Sequence, residues 1–390
     1  MGRSIDKLTI EGYRSIRKLE DFKLHGLNVL IGANGAGKSN FVGFFRLLRQ
    51  LVEQKLQVAV GTEGGADACL YLGPKVTQKL AAKLHFGDNG YQFTLVPTVD
   101  NRLIFAEEVT VFEGSYGTSR DLLGSGHSEA KLPDHKNDPG VRGAAHGVPH
   151  YVFDALSSWV VYHFHDTSAT AGVRRPKPIN DNEYLRHDAE NLAAFLFRIR
   201  QTHPANYEMI RDAVRLAAPF FDDFKLRPIP GNEEMIQLEW LQKDSDYPFR
   251  VSQLSDGTLR FMCLATALLQ PSPPWTMLFD EPELGLHPFA LTLLGNLFRQ
   301  AAMPLGQKLV LHQLIVSTQS AALLSEFEPE EVIVVERSQG ESTFRRLDPA
   351  QLSEWLQEYS LGELWQKNVL GGRPQAEDVE QPPAVTRNEA

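Results

Sequence analysis

Residues 27–41 read LNVLIGANGAGKSNF, and this stretch is the strongest indication of the fold. The apolar run 27–31 predicts a buried strand, and Gly32–Ser39 directly after it fits the pattern G-x-x-x-x-G-K-[ST]. From Phe41 to Val52 apolar residues recur at helical spacing, so the glycine-rich turn opens a helix. A strand, a glycine turn, Lys-Ser and a helix in this order predict a phosphate-binding loop. The alternative is a glycine-rich turn that binds nothing.

The chemistry of a bound nucleotide accounts for the residue types in this loop. Gly35 and Gly37 allow backbone N–H groups to turn toward phosphates, and the helix N-terminus adds partial positive charge. Lys38 is expected to reach the β and γ phosphates, and Ser39 to give its hydroxyl to Mg²⁺. The sequence therefore predicts ATP and Mg²⁺ as the ligands.

A second apolar stretch, WTMLFDEP at 275–282, ends in two carboxylates. A buried parallel strand delivers its C-terminal residues to the ligand crevice of an open α/β sheet. Asp280 would hold Mg²⁺, directly or through water, and Glu281 would orient and deprotonate the attacking water. The alternative is a strand that is capped by exposed acids.

The sequence LSDGT at 254–258 precedes a predicted helix over 259–269. Ser255 suits a helix N-cap, and Gly257 keeps the backbone accessible to a ligand. Taken alone, this pattern is typical of a helix cap with no further role.

Together these motifs resemble the ABC-type P-loop ATPases, and most of all the RecF/SMC branch with its stand-alone AAA/RecF-like predicted ATPases. The resemblance covers residues 1–110 and 235–374, and the middle is matched mainly at 162–168, YHFHDTS. It is carried by GYRSI at 12–16, by Asn34 and Asn40 in the form GxNGxGKSN, by PELGLHP at 282–288, by VSTQS at 316–320 and by GGRP at 371–374.

The resemblance implies slow hydrolysis of ATP to ADP and phosphate by Lys38, Glu281 and Gln319. Gln319 stands where many ABC ATPases carry a switch histidine, and glutamine can hydrogen-bond a phosphate or water but cannot titrate. Asn34 and Asn40 would contact the nucleotide together with Gly35, Gly37, Lys38 and Ser39.

The resemblance also implies a homodimer. Ser255 and Gly257 would contact the γ-phosphate of the nucleotide held by a second chain, and residues 283–287 would form the D-loop that couples the two sites. ATP would then join two chains head to tail, and hydrolysis would release them. Asp256 replaces the glycine of the common signature, and its carboxylate would repel the phosphate unless it points away.

The expected fold is an α/β ABC/RecF-type ATPase head with an antiparallel β subdomain and an inserted helical lobe. Residues 1–112 and 236–370 would form the two halves of the head, and 151–235 a strand followed by the helical lobe. Residues 113–150, rich in Gly, Ser, His and Asp, are expected to be a flexible insertion, and the Pro/Glu/Gln-rich residues 371–390 a disordered tail.

The composition limits the choice of partners. The chain of 390 residues has a formal net charge of −10, no apolar run long enough to span a membrane and no signal-peptide core, so we expect a cytoplasmic protein without a membrane partner. DNA, in repair or antiviral defence, is one candidate partner, with Arg14, Arg17 and Lys18 or Arg174, Arg175 and Lys177 as the candidate edges. A protein effector, controlled without any nucleic acid, is the alternative, and a transporter subunit is a weaker third.

Two questions stay open from the residues alone. His163 and His165 share one face of a predicted strand beside Asp166, where a metal site, a γ-phosphate sensor or plain structural histidines all fit. The Q-loop glutamine has two candidates, Gln78 and Gln92. The two cysteines exclude a disulfide framework and a four-cysteine zinc site.

Overall fold

The computed structural model describes residues 4–115, 117–140, 144–303 and 312–372. Its strands are β1 (Lys7–Tyr13), β2 (Ile16–Lys23), β3 (Leu27–Ile31), β4 (Leu80–Phe86), β5 (Asn89–Pro97), β6 (Leu103–Gly114), β7 (Gly117–Gly124), β8 (Trp159–Tyr162), β9 (Lys177–Pro178), β10 (Phe221–Lys225), β11 (Pro228–Ile229), β12 (Asn232–Ile236), β13 (Glu239–Gln242), β14 (Pro248–Arg250), β15 (Thr276–Asp280), β16 (Gln313–Ser317), β17 (Val332–Ser338) and β18 (Glu341–Arg346). Its helices are α1 (Lys38–Val52), α2 (Leu56–Thr62), α3 (Ala66–Cys69), α4 (Val148–Ser157), α5 (Leu192–Thr202), α6 (Pro204–Ala217), α7 (Asp256–Leu269), α8 (Pro288–Ala302), α9 (Ala321–Leu324), α10 (Pro349–Leu352) and α11 (Leu361–Gln366).

The strand before the glycine turn lies inside a six-stranded sheet with the order β18-β17-β3-β16-β15-β8. Strand β3 pairs in parallel with β16 and β17, and β15 pairs in parallel with β16 and β8. All five residues of β3 are buried, as expected for a strand covered on both faces. This sheet joins strands from both ends of the sequence, which confirms the expected α/β class.

A second six-stranded sheet is antiparallel, with the order β2-β1-β4-β5-β6-β7. Strands β1 and β4 alternate buried and mostly half-buried residues, because one face packs on the core and the other is more open to water. Helix α1 fills the space between the two sheets, with Phe41, Phe44 and Phe45 in one apolar cluster that also contains Trp159 of β8.

Helices α5 to α8 cover the opposite face of the parallel sheet, and α7 is apolar around most of its circumference because it is almost fully buried. Within residues 151–235, where we expected a helical lobe, the structure has α5 and α6, and α6 packs against α7. Strand β8, which we expected to belong with the helical lobe, is instead the edge strand of the sheet that carries β3.

Residues 113–150 differ from the expected flexible insertion. They contain β7, which extends the antiparallel sheet, and the start of α4. The carboxylate of Glu108, which is fully buried, accepts hydrogen bonds from the backbone N–H groups of Lys131 (2.8 Å) and Leu132 (3.0 Å) and from the Tyr91 hydroxyl (2.7 Å). These bonds order a segment whose own side chains are mostly small and polar.

The start of the expected disordered tail also differs from the expectation. Gly371 and Gly372 have a defined place, because the Gly372 carbonyl accepts a hydrogen bond from the Ala33 N–H (2.8 Å). The rest of that segment, 373–390, lies outside the described residues. None of the helices in the described ranges is long and apolar enough to cross a membrane.

Candidate functional site

The glycine turn joins β3 to α1 and leaves Asn34, Gly35 and Ser39 exposed at the start of the helix. Lys38 is buried, and its ammonium donates to the carbonyls of Gly32 (2.6 Å) and Ala33 (3.1 Å). Burial lowers the pKa of Lys38, whereas the carboxylates of Glu281, Asp280 and Glu283 act in the opposite direction. The structure therefore brings the predicted lysine and the predicted acidic pair into one electrostatic environment.

A group of side chains beneath the turn holds it in place. The Asn40 amide donates to the Ser15 hydroxyl (2.6 Å). The Ser342 hydroxyl donates to the Ala36 carbonyl (2.6 Å) and lies 2.7 Å from the Ser15 hydroxyl, which can donate to it. Asn40 thus points away from the exposed side of the turn, so its predicted contact with a nucleotide needs a movement of this side chain. Sequence reasoning missed Ser342, which no local pattern marks.

The two acidic residues lie at the same sheet edge as the glycine turn. Ser317 pairs with Leu30 on one side and with Asp280 on the other, so the ends of β3, β16 and β15 are level. One oxygen of Asp280, Oδ1, is buried and has no hydrogen-bond partner among the described residues. The other, Oδ2, lies 3.7 Å from Nη2 of Arg46. Arg46 occurs seven residues after Ser39 on α1, a spacing that places both on one helix face.

Glu281 and Gln319 are in direct contact, as a shared catalytic role requires. The Gln319 side-chain amide donates to Oε1 of Glu281, and the Gln319 backbone N–H donates to Oε1 of Glu283 (2.8 Å). Glu281 has a positive φ of 45°, an uncommon conformation that its N–H bond to the Ser317 carbonyl (2.8 Å) helps to hold. Burial raises the pKa of Glu283, and Oε2 of that residue has no partner among the described residues.

The signature turn packs against the segment 283–287. Ser255 caps α7 by accepting from the Thr258 N–H (3.1 Å), and a Cβ atom at Gly257 would lie 2.1 Å from the Gly285 carbonyl oxygen. Only glycine fits this close approach. Among the described residues, the hydrogen bonds and ion pairs of the signature turn do not reach the phosphate loop of the same chain.

Asp256 is paired with an arginine that sequence reasoning assigned elsewhere. Arg174, whose side chain is 7% exposed, donates to Asp256 (2.7 Å) and to the carbonyls of Thr167 (2.7 Å) and Val251. Arg174 is therefore not part of a basic edge. Its positive charge balances the carboxylate of Asp256, the residue that replaces the glycine of the common signature.

Arg260 is a further residue that sequence reasoning missed. It is buried in α7 and donates to the carbonyls of Phe164 (2.8 Å), His165 (3.0 Å) and Leu284. It thereby connects the signature helix, the end of β8 and the segment 283–287. The signal was present in the sequence, since a lone arginine in the apolar stretch 259–269 must find buried acceptors.

His163 follows β8 directly, beside Asp280 on the neighbouring strand. Its Nδ1 accepts from Nη2 of Arg46 (3.3 Å), and burial, followed by the Arg46 charge, lowers its pKa to about 3. A neutral imidazole therefore contacts Arg46 beside the acidic pair. Of the two candidates for the Q-loop glutamine, Gln92 lies within the antiparallel sheet, and Gln78 lies in the loop before β4. No group of three His, Cys, Asp or Glu side chains converges as a metal site in the described parts of the chain, which leaves the metal alternative at 163–166 without support.

The residues present fit a magnesium nucleotide. The exposed N-terminus of α1 suits phosphate oxygens, and the unpartnered Oδ1 of Asp280 is a hard oxygen ligand of the kind that Mg²⁺ prefers. Ser39 is exposed at the same helix end and is free to supply a second oxygen.

Comparisons with known proteins agree with this arrangement. A family model described as "AAA domain, putative AbiEii toxin, Type IV TA system" matches residues 27–113 and 134–325. No curated protein matches the chain. Among solved structures, an SMC head bound to the C-winged helix domain of ScpA is similar with a TM-score of 0.55 and 14% identity over 90% of this chain and 99% of that one.

Two further SMC heads are similar at 14% identity. One, from Pyrococcus furiosus with an extended coiled coil, has a TM-score of 0.49 over 91% of this chain and 98% of that chain. The other, from Thermotoga maritima, has a TM-score of 0.40 over 88% and 99%. The fold comparison rests on the first of the three structures and shows the fold alone. The family model covers more than half of the chain, and the chain therefore belongs to this family of AAA-domain proteins, with the ABC/SMC-like P-loop fold.

Proposed function

We propose that this protein binds ATP with Mg²⁺ in the phosphate loop (Gly32–Ser39) and hydrolyses it slowly to ADP and phosphate. The observation that carries the proposal is the meeting of four predicted residues at one sheet edge. Lys38 and Asp280 share an electrostatic environment, and Glu281 is hydrogen-bonded by Gln319. This is the set that phosphoryl transfer to water uses: a phosphate-binding lysine, a metal-holding aspartate and a base beside a polar amide.

In this proposal the chain's own residues divide the work. Ser39 and Asp280 would hold Mg²⁺, which would neutralise charge on the phosphates. Lys38 moves from the Gly32 carbonyl to the β and γ phosphates. Glu281 accepts the proton of the attacking water, and Gln319 fixes the orientation of the Glu281 carboxylate. Because Gln319 cannot exchange protons, we expect a low turnover rate.

We further propose that ATP joins two copies of the chain head to tail. In the part of the chain that the structure describes, Ser255 and Gly257 make no hydrogen bond to the phosphate loop of their own chain. Ser255 lies exposed at the positive end of α7. The Arg174–Asp256 pair keeps a negative charge from opposing an incoming phosphate. The cleft beside the turn, about 110 Å³, is lined by Gly257, Gly285 and His287 and lies open to a partner.

The domain division that we propose follows the same logic. Residues 1–112 and 236–370 form the head, and 151–235 contribute β8 to the sheet and a helical lobe beside it. We place the protein in the cytoplasm and expect a clamp or switch that acts on DNA in repair or antiviral defence.

A protein effector is the second candidate partner, and the pairing of the basic residues favours it. Arg14 contacts Glu63, Lys18 lies 2.6 Å from Glu20, and Lys177 contacts Glu190. Together with a formal net charge of −10, these ion pairs reduce the positive potential that DNA phosphates require. In this version the ATP-dependent dimer presents a surface to a separate protein.

The deciding experiment is the oligomeric mass of the Glu281→Gln variant by light scattering, with and without ATP and Mg²⁺. The variant keeps a hydrogen-bonding side chain at 281 but removes the base, so ATP stays intact and the dimer accumulates. Lys38→Ala is the control that removes the phosphate contact. A mass that doubles only in Glu281→Gln with ATP supports the proposal. An unchanged mass in the presence of bound ATP contradicts the head-to-tail dimer.

A further inference from the structure

The C-terminal strap, Leu370–Gly372, lies against the phosphate loop. The Gly372 carbonyl accepts from the Ala33 N–H (2.8 Å), and the Gly372 N–H donates to Oε1 of Glu336 on β17 (2.9 Å). Leu370 is buried, and its carbonyl accepts from Arg345 of β18 (2.9 Å). The strap is therefore fixed to the loop on one side and to the sheet on the other.

The strap depends on two consecutive glycines. Gly371 and Gly372 have φ values of 83° and 81°, where residues with a side chain are strained. A Cβ atom at Gly371 would lie 2.6 Å from Oε1 of Glu336, the same oxygen that accepts from Gly372. A larger residue at 371 would push the strap off its anchor.

The contact of the strap bears directly on Lys38. The Ala33 N–H and the Gly32 C=O belong to one planar peptide unit, so their directions are fixed relative to each other. Gly372 holds the N–H of this peptide, and the Lys38 ammonium donates to its C=O (2.6 Å). The orientation that Gly372 imposes on this peptide thus sets the position of the carbonyl that holds the lysine.

The strap also connects the loop with the region of Gln319. It follows α11, which packs on α9 so closely that a Cβ atom at Gly362 would lie 2.1 Å from the Ala321 carbonyl. Helix α9 starts at Ala321, directly after Ser320, its N-cap residue, and Gln319. One continuous segment, 360–372, therefore contacts both the helix that follows Gln319 and the peptide that holds Lys38.

We propose that Gly371 and Gly372 are positioning residues of the nucleotide site, which hold the Gly32–Ala33 peptide in the orientation that nucleotide binding needs. This inference rests on the proposed function, in which Lys38 leaves the Gly32 carbonyl to bind phosphate. Once the lysine has moved, the Gly372 carbonyl is the remaining hydrogen-bond partner of this peptide among the contacts described above. By linkage, nucleotide binding and the docking of the strap affect each other equally.

The test uses the full chain with Gly371→Val and measures the Kd of a fluorescent ATP analogue with Mg²⁺. We expect binding that is weaker by roughly fivefold or more, the ratio expected for the loss of a hydrogen bond. Hydrogen exchange at the Ala33 amide should become faster in the same variant. The matched control is Gly231→Val, which has nearly the same φ, 82°, in a hairpin turn with open space around it. A chain that ends after Gly372 keeps the strap and should bind like the wild type.

The outcomes separate the two proposals. A wild-type chain that binds no nucleotide overturns the proposed function. If the wild type binds and Gly371→Val binds equally, with slow exchange at Ala33, the inference about the strap is wrong and the function stands. If Gly371→Val does not fold, Glu336→Ala removes the acceptor of the Gly372 N–H without changing a glycine, and unchanged binding in that variant overturns the inference.

Discussion

Replacement of Arg260 by methionine tests the role of the buried arginine that links three segments. Methionine fills a similar volume but cannot donate, so the carbonyls of Phe164, His165 and Leu284 lose their donor. At about 1 kcal/mol for each lost bond, the variant should lose about 3 kcal/mol of unfolding free energy. The adjacent cavity of about 10 Å³ holds one water at most, so solvent cannot replace all three bonds.

The assay for Arg260→Met is urea denaturation together with the thermal midpoint. A loss of about 3 kcal/mol lowers Tm by roughly 4 °C in a chain of this size. Arg198→Met is the matched control, because Arg198 is exposed on α5 and makes a single long bond to the Asn182 carbonyl (3.3 Å). Buried acceptors without donors are costly. If Arg260→Met loses less than about 1 kcal/mol of unfolding free energy, as little as the control, Arg260 does not stabilise the chain through these three carbonyls.

Three further outcomes follow from the structure. Glu108→Leu leaves two backbone N–H groups and a hydroxyl without an acceptor, so the free energy of unfolding should fall by about 3 kcal/mol. Proteolysis between 125 and 147 should become faster in this variant, and unchanged proteolysis would argue against ordering by Glu108. The folded-state pKa of His163 lies below its ordinary value of 6.5, so below that pH the unfolded chain binds more protons and the free energy of unfolding should fall as pH drops from about 6.5. In urea titrations, His163→Gln should flatten this pH dependence, and an unchanged slope of unfolding free energy against pH would contradict the prediction. Arg174→Met should destabilise the chain and weaken the ATP-dependent dimer. Asp256→Asn, at a side chain that is 65% exposed, should change the free energy of unfolding by less than about 1 kcal/mol. Equal changes of unfolding free energy in the two variants would count against the buried role of Arg174.

The order in the described part of residues 113–150 has a physical cause. The segment has few large apolar residues, which made a flexible insertion the reasonable interpretation. Its order comes from hydrogen bonds to Glu108, a residue on β6 that belongs to another segment of the chain. The composition of a segment indicates how much apolar surface it can bury by itself. It does not indicate which hydrogen-bond acceptors other parts of the chain supply.

The local chemistry of this protein could be predicted from short stretches of its sequence. The phosphate loop, the strand before the acidic pair and the cap at Ser255 are each encoded in a few consecutive residues, where periodicity and capping patterns are visible. The α/β class followed from the same patterns, because a buried strand that leads into a glycine turn and helix belongs to a parallel sheet.

The distant residues that support this chemistry are visible only in the tertiary structure. Ser15 meets Ser342 across 327 positions, Arg260 reaches Phe164 across 96, and Gly372 meets Ala33 from near the other end of the chain. These contacts leave no periodic signal, because each partner only has to satisfy one hydrogen bond, and many residue types can do so. Their identity is set by how the sheet brings the two ends of the chain together.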